Sequence, residues 1–322
     1  MKLRKIIAML TATAMAAAAL TGCGGSKEYP SQNISVICPY SAGGTTDLCV
    51  RGMTESIPDG VLPSGVNITV NNVTGGAGLV GANQFRNSSS DGYTLGIVNC
   101  DLVLSKVNGN TDISYDEFTP LACLMKQPNL ILVSADAPYD TFEEFVEYAK
   151  AHPGEVKVGN TGEGTLTKLS AQSFEQALGL EFTYVNYDGD TNSITGVVAG
   201  EVDMTCCSAA PAIGQLTAGT IKALAITDNE RTEMFPDVPA MGELYDELKD
   251  IRILTWVYLA IKNDAPEEVV TYLQDAFAQA SATEEFEETL AAFSIMPAEF
   301  EGTDGALQFM QEQYEFYDSL IN

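Results

Sequence analysis

Apolar positions along the chain switch repeatedly between two spacings. Ile34, Val36 and Cys38 alternate with Ser35 and Ile37, the period-2 pattern of a strand. Pro39 to Thr46 break that pattern with a proline and two adjacent glycines. Cys49, Met53 and Ile57 then fall four apart, as on one side of a helix. The same strand, glycine corner and helix recur at Ile68–Asn72, Gly75-Gly76-Ala77-Gly78 and Leu79–Phe85. They recur again at Val156–Val158, Gly162-Glu163-Gly164-Thr165 and a helix reaching Leu178, then at Phe182–Val185, Tyr187–Thr191 and Ser193–Ala199. Further strands are predicted at Tyr93–Val98, which ends at Asn99-Cys100-Asp101, at Val202–Cys207, which exits through Ser208-Ala209-Ala210-Pro211, and at Ala223–Ile226.

Strands alternating with helices imply an α/β fold with mainly parallel sheets and flanking helices. Ligands of such sheets sit beyond the carboxyl ends of the strands, where these corners gather. Each corner aims free backbone N–H groups and the positive end of a helix dipole at one point. That arrangement receives an anion without a basic side chain. Asp47 has the chemistry of an N-cap or first-turn residue, with Thr45 and Thr46 as further cap candidates.

Two extended apolar stretches, Leu121–Val133 and Ile253–Ile261 with the single tryptophan Trp256, read as crossings between two lobes. The expected division is residues 32–126 plus 254–322 for a discontinuous first lobe and 127–253 for the second. Amphipathic helices are expected at Asp140–Ala149, Glu267–Ser281, Phe286–Phe293 and Gly305–Leu320, their acidic residues facing water.

The first residues form a separate unit. Lys2, Arg4 and Lys5 precede an uncharged run from Ile6 to Leu20, too short for a comfortable membrane span and suited to export. Leu20-Thr21-Gly22-Cys23 has the form of a bacterial lipobox, so residues 1–22 are expected to be a lipoprotein signal peptide, Cys23 the lipidation site and residues 23–31 a tether. The protein is therefore expected to lie outside the cytoplasm, anchored to the outer face of the membrane without spanning it.

Charge excludes some partners. Of 16 basic residues three lie in the leader, leaving 13 against 44 acidic ones, a formal charge near −31. Such a field repels nucleic acid. The six cysteines beyond Cys23 (Cys38, Cys49, Cys100, Cys123, Cys206 and Cys207) sit among strand-like apolar neighbours without a CxxC spacing, and read as buried free thiols. One histidine and scattered thiols do not make a metal site, no GK[ST] or GxGxxG marks a nucleotide site, and nothing calls for a cofactor.

A serine hydrolase built on Ser41 or Ser208 needs an oriented base, but the single histidine, His152, lies in a Pro-Gly turn and GxSxG is absent. The chain is not expected to be an enzyme.

Taken in order, PYSAGGTTD, NNVTGGAGLVGANQF, DGYTLGI, GNTGEGT, YVNYDGDTNS, GEVDM and DVPAMGEL resemble the TctC-like (Bug) extracytoplasmic solute receptors of tripartite tricarboxylate transporters over essentially the whole mature chain. The resemblance implies a two-lobed type II periplasmic-binding-protein fold, with a small carboxylate held in the cleft and delivered to membrane permease subunits by a monomeric receptor. Carried over by position, it implies ligand contacts from Tyr40, Ala42, Gly43, Gly44 and Thr45, from Gly76, Ala77 and Gly78, and from Asn99 in the first lobe. It implies Gly162, Gly164, Thr165, Tyr187, Gly189 and Ser208 in the second.

Departures bear on the ligand. Lys168 stands where histidine is frequent, and Asn186 and Asp188 replace the Pro and Lys of a Pro-Tyr-Lys-Gly run. Asp188 and Asp190 would repel a second carboxylate and suit an ammonium or hydroxyl, unless both are turn residues facing water. A receptor that signals to a membrane kinase instead of feeding a permease is the alternative output.

Overall fold

The computed structural model describes residues 28–321. The leader, Cys23 and the tether up to residue 27 lie outside the described residues. Tyr29 to Ser31, at the tether's far end, are packed. The Tyr29 hydroxyl donates to the Gly92 carbonyl at 2.7 Å, and its ring meets Tyr93 and Tyr272. Among the described residues no helix is long and apolar enough to cross a membrane.

The elements run β1 (Ile34–Cys38), α1 (Thr45–Glu55), β2 (Ile68–Asn72), α2 (Leu79–Arg86), β3 (Thr94–Asn99), α3 (Cys100–Val107) and β4 (Phe118–Pro128). The chain then passes through β5 (Leu130–Ser134), α4 (Phe142–Ala151), β6 (Lys157–Asn160), α5 (Leu166–Leu178), β7 (Thr183–Asn186), α6 (Asp190–Ala199), β8 (Met204–Cys207), α7 (Ala209–Ala218) and β9 (Ile221–Ile226). It closes with α8 (Met241–Leu244), β10 (Leu254–Lys262), α9 (Glu267–Ser281), α10 (Glu284–Ala292) and α11 (Gly302–Ile321).

Two five-stranded sheets result, ordered β2-β1-β3-β10-β4 and β7-β6-β8-β5-β9. The two orders are the same pattern. In each sheet three strands pair in parallel, and the fourth is antiparallel to both its neighbours. Four strands of each sheet thus share one direction, and the reversed ones are β10 and β5. The reason is connectivity. Strands whose helices follow at the cleft end run toward the cleft, whereas β5 and β10 bring the chain across from the other sheet and start there. The sheets are therefore mixed, with one reversed strand apiece within the mainly parallel arrangement that strand–helix alternation predicts.

Asn129, between β4 and β5, ties the crossings together. Its amide nitrogen donates to Thr227 Oγ1 at 3.0 Å, and its side chain accepts from Thr255 Oγ1 at 2.7 Å and donates to Ser170 Oγ at 2.9 Å. Thr227 Oγ1 donates in turn to the Ile253 carbonyl at 2.7 Å. A buried asparagine with its donors and acceptors satisfied fixes where two strands leave one sheet and enter the other.

Trp256 and Tyr258 of β10 are fully buried and pack against Phe309 of α11. The cysteines from Cys38 to Cys207 are all buried and free. Cys206 and Cys207, adjacent on a strand, enter opposite faces and different core clusters, as the period of two requires.

Two helices begin where a loop was expected: α3 continues straight from β3, and α7 follows Ser208. Helix α6 also starts at Asp190, three residues before the predicted Ser193.

Candidate functional site

Between the sheets lies a cleft of about 640 Å3. Five helix N-termini open onto it, those of α1, α3, α5, α6 and α7, each contributing its cap or first residues to the lining.

The first corner is shaped by Asp47. Helix α1 starts at Thr45 with Gly44 as N-cap, and no side chain caps it, so Thr45 and Thr46 are helix residues and not caps. The first intrahelical bond runs from the Leu48 N–H to the Gly44 carbonyl, which leaves the amides of Thr45, Thr46 and Asp47 without an intrahelical acceptor. The Asp47 carboxylate turns back and accepts from the Gly43 N–H at 2.9 Å, from Arg51 Nε at 3.0 Å and from Asn72 Nδ2 at 2.8 Å. Burial opposes its charge, but these donors outweigh burial and hold the carboxyl below its ordinary range. Asp47 sits 1 % exposed and does not line the cleft.

At the second corner, Gly75 to Gly78 all have positive φ. Gly78, at φ +90°, lies against the Tyr40 ring, where a Cβ would come within 3.3 Å of Oη. That contact fixes the phenol. Tyr40 donates to Asp101 Oδ2 at 2.8 Å and accepts from Asn99 Nδ2 at 2.6 Å. Asn99 also caps α3, its Oδ1 accepting from the Leu102 N–H at 3.2 Å. Burial, reinforced by the nearby charge of Asp101, raises the Tyr40 pKa far above that of a free phenol, so Tyr40 remains a neutral donor.

The opposite wall comes from α5, α6 and α7. The Leu166 N–H, in the first turn of α5, faces the Asp101 carboxylate across the cleft and lowers its pKa. Burial nevertheless raises the Asp101 pKa against the Tyr40 hydroxyl and the Leu166 N–H. Asp190, the first residue of α6, has no such support. Burial and the charge of Asp101 push its carboxyl up to about 7, and among the described residues no hydrogen bond or ion pair reaches it. Asp188 is exposed at the cleft edge. Among the described residues no Lys, Arg or His lines the cleft.

Of the residues singled out from the sequence, Tyr40, Gly43, Gly44, Thr45, Ala77, Asn99, Thr165, Gly189 and Ser208 line this cleft together. Ala42, Gly76, Gly78, Gly162, Gly164 and Tyr187 do not. Gly78 stands behind Tyr40. The Gly162 carbonyl accepts from Thr165 Oγ1 at 2.8 Å, shaping its loop, and Gly164 packs against Asn108. The Tyr187 ring turns under α6, where it covers Gly159 and Gly196 and its hydroxyl donates to Glu201 at 3.2 Å. Lys168 is buried, paired with Glu163 and 4.9 Å from the Tyr184 ring centre, away from the cleft.

The lining also contains residues the sequence did not point to as contacts, chiefly Asp101, Thr46, Asn129, Thr161, Thr167, Thr191 and Thr255. The asparagine cap before Asp101 was the available signal. Ser41 and Ser208 both line the cleft, but His152 bonds the Tyr148 carbonyl at 2.8 Å and stacks on the Tyr148 ring, outside the lining.

Two similar sheets, two crossings and a cleft ringed by helix N-termini define a two-lobed solute-binding protein. Residues 48–322 match the model of the tripartite tricarboxylate transporter family receptor, TctC, and the chain belongs to that family. A TctC solute-binding protein from Polaromonas is similar over 91 % of this chain and 99 % of its own, with 31 % identity and a TM-score of 0.76. MatC from Rhodopseudomonas palustris, solved with bound malate, is similar over 91 % of this chain and all of its own, at 25 % identity and a TM-score of 0.78. Protein BugT of Bordetella pertussis is 26 % identical over 247 residues, covering 76 % of this chain and 74 % of its own.

Proposed function

We propose that this protein is a lipid-anchored extracytoplasmic receptor that captures a small carboxylate between its lobes and presents it to the permease of a tripartite tricarboxylate transporter. The carrying observation is the set of five helix N-termini converging on one cleft that contains no basic side chain among the described residues. Backbone amides at helix starts stabilise an anion by hydrogen bonding and by the dipole together. The malate bound by the MatC relative fits that chemistry.

Residues 32–126 with 254–322 form one lobe in this reading and 127–253 the other, a division supported by the membership of the two sheets. Closure over the guest gives the permease a shape to recognise, and the lipid on Cys23 keeps the receptor close to it. Tyr40, Gly43, Gly44, Thr45, Ala77 and Asn99 from one side, and Thr165, Gly189 and Ser208 from the other, are the proposed contacts.

The test is a melting series of the purified protein with C4–C6 mono- and dicarboxylates and their amino-acid counterparts. Ligand at one hundred times its Kd should stabilise the fold by about 2.7 kcal/mol, a rise of several degrees. A flat response across the whole panel would remove the receptor reading.

A further inference from the structure

Tyr40 lines the cleft, yet its hydroxyl proton is already committed. A phenol has a single O–H to give and two lone pairs to accept with. Here the O–H goes to Asp101 Oδ2 at 2.8 Å, and one lone pair takes an Asn99 Nδ2 proton at 2.6 Å. While Asp101 is ionised, Tyr40 can therefore offer a guest carboxylate only a lone pair, which repels it.

A proton on Asp101 changes what Tyr40 presents. The acid then donates, Tyr40 Oη accepts on its second lone pair, and the phenol O–H is free to turn into the cleft. The hydrogen bond between the two side chains reverses and no chain segment has to move. The same proton removes a charge that nothing in the cleft offsets. Asp188 and Asp190 line the cleft with Asp101, and no Lys, Arg or His does so among the described residues. Cys100 beside Asp101, Cys207 at the end of β8 and Tyr317 of α11 are kept neutral by burial. Lys168 pairs with Glu163 and Arg51 with Asp47, both pairs outside the lining. An anion entering beside Asp101 makes its charge costlier and draws a proton onto it.

We propose that Asp101 is a positioning residue that takes up a proton as the guest carboxylate binds and, by reversing its hydrogen bond with Tyr40, turns the phenol O–H onto that carboxylate. This rests on the receptor reading above and adds a proton to it. The proton comes from the buffer, sits on a carboxylate oxygen of Asp101 and returns when the guest leaves. Because the guest raises the Asp101 pKa, affinity is greatest below the ligand-free value. It falls as pH rises from there towards the ligand-bound value, by at most about tenfold per pH unit.

Isothermal titration calorimetry tests this with the C4–C6 carboxylates that shift the melting curve, succinate, malate, glutarate and adipate being the first tried. At pH 7.5 the binding heat should differ between phosphate and Tris, which release protons with different heats, and Kd should rise from pH 6.5 to pH 8.5. Asp101→Asn should make the two heats agree and flatten the pH profile. Tyr40→Phe should weaken binding about fivefold at pH 6.5 and less at pH 8.5. Circular dichroism melts would show that both variants fold.

Equal heats in the two buffers with a flat Kd, or proton uptake that survives Asp101→Asn, would overturn the inference while the carboxylate receptor stands. So would a Tyr40→Phe variant that binds as wild type does, or loses the same factor at both pH values. If no carboxylate of the panel shifts the melting curve, both readings fall together.

Discussion

Asp47 and Asp190 are a natural pair to compare. Each lies in the first turn of a helix that follows a glycine corner, one in each half of the molecule. Asp47 is buried among three donors, and its pKa falls. Asp190 is half-buried with none among the described residues, and its pKa climbs to about 7. Residue type and helix turn are the same, though Asp47 is the third helical residue and Asp190 the first, and the surrounding fold supplies the rest of the difference. Arg51, one turn along α1, and Asn72, at the end of β2, reach back to Asp47. No residue of α6 or β8 does so for Asp190. The first acid is spent on holding a loop in shape, and the second is left facing the cleft.

The largest expected effect comes from breaking the satisfied member. Asp47→Ala leaves the Gly43 N–H without an acceptor, leaves the Asn72 amide only the Tyr40 carbonyl and leaves Arg51 only Asn72 Oδ1, and should cost about 3 kcal/mol in urea unfolding at pH 7. Its folded pKa lies below the ordinary 3.8, so the contribution is complete above that pH and disappears as pH falls through the folded value. The gap between wild type and Asp47→Ala should therefore close in strong acid.

The unsatisfied member should respond in the opposite direction. Its carboxyl rises from 3.8 to about 7, so folding favours the protonated form. Stability is present in full below pH 3.8 and is lost as pH rises through about 7. Asp190→Asn should stabilise the ligand-free protein by about 2 kcal/mol at pH 8, with no gain below about pH 4. Unfolding curves at the two pH values read this directly.

The smallest effect sharpens the contrast. Asp101→Asn keeps an acceptor for Tyr40 and removes one charge, so stability should move by less than about 1 kcal/mol. The same substitution should lower the pKa of Asp190, read by carbon NMR of its carboxyl, because Asp101 is one of the two causes holding it up.

Much of this was legible in the chain. Glycine corners between period-2 and period-3.6 segments located strands and helices around the cleft, and apolar runs marked both crossings. Helix α3 was hidden because β3 runs directly into it with no glycine or proline corner between them, and with it went Asp101. Helix α7 was hidden by Pro211, which is tolerated there because it falls in the first turn. The early start of α6 turned Asp190 from a loop residue into a helix residue facing the cleft. Tyr187 turned away because Gly159 and Gly196 leave a space for its ring, a fit between distant positions that no local pattern records.

Strand β10 has one more consequence. It fills the gap between β3 and β4, so the first sheet is incomplete until residue 262 is available, while every strand of the second sheet lies between residues 130 and 226. A chain threaded out from its amino end can therefore finish its later half before its earlier one. Pulse-labelled hydrogen exchange during refolding should show β6 and β8 protected ahead of β3.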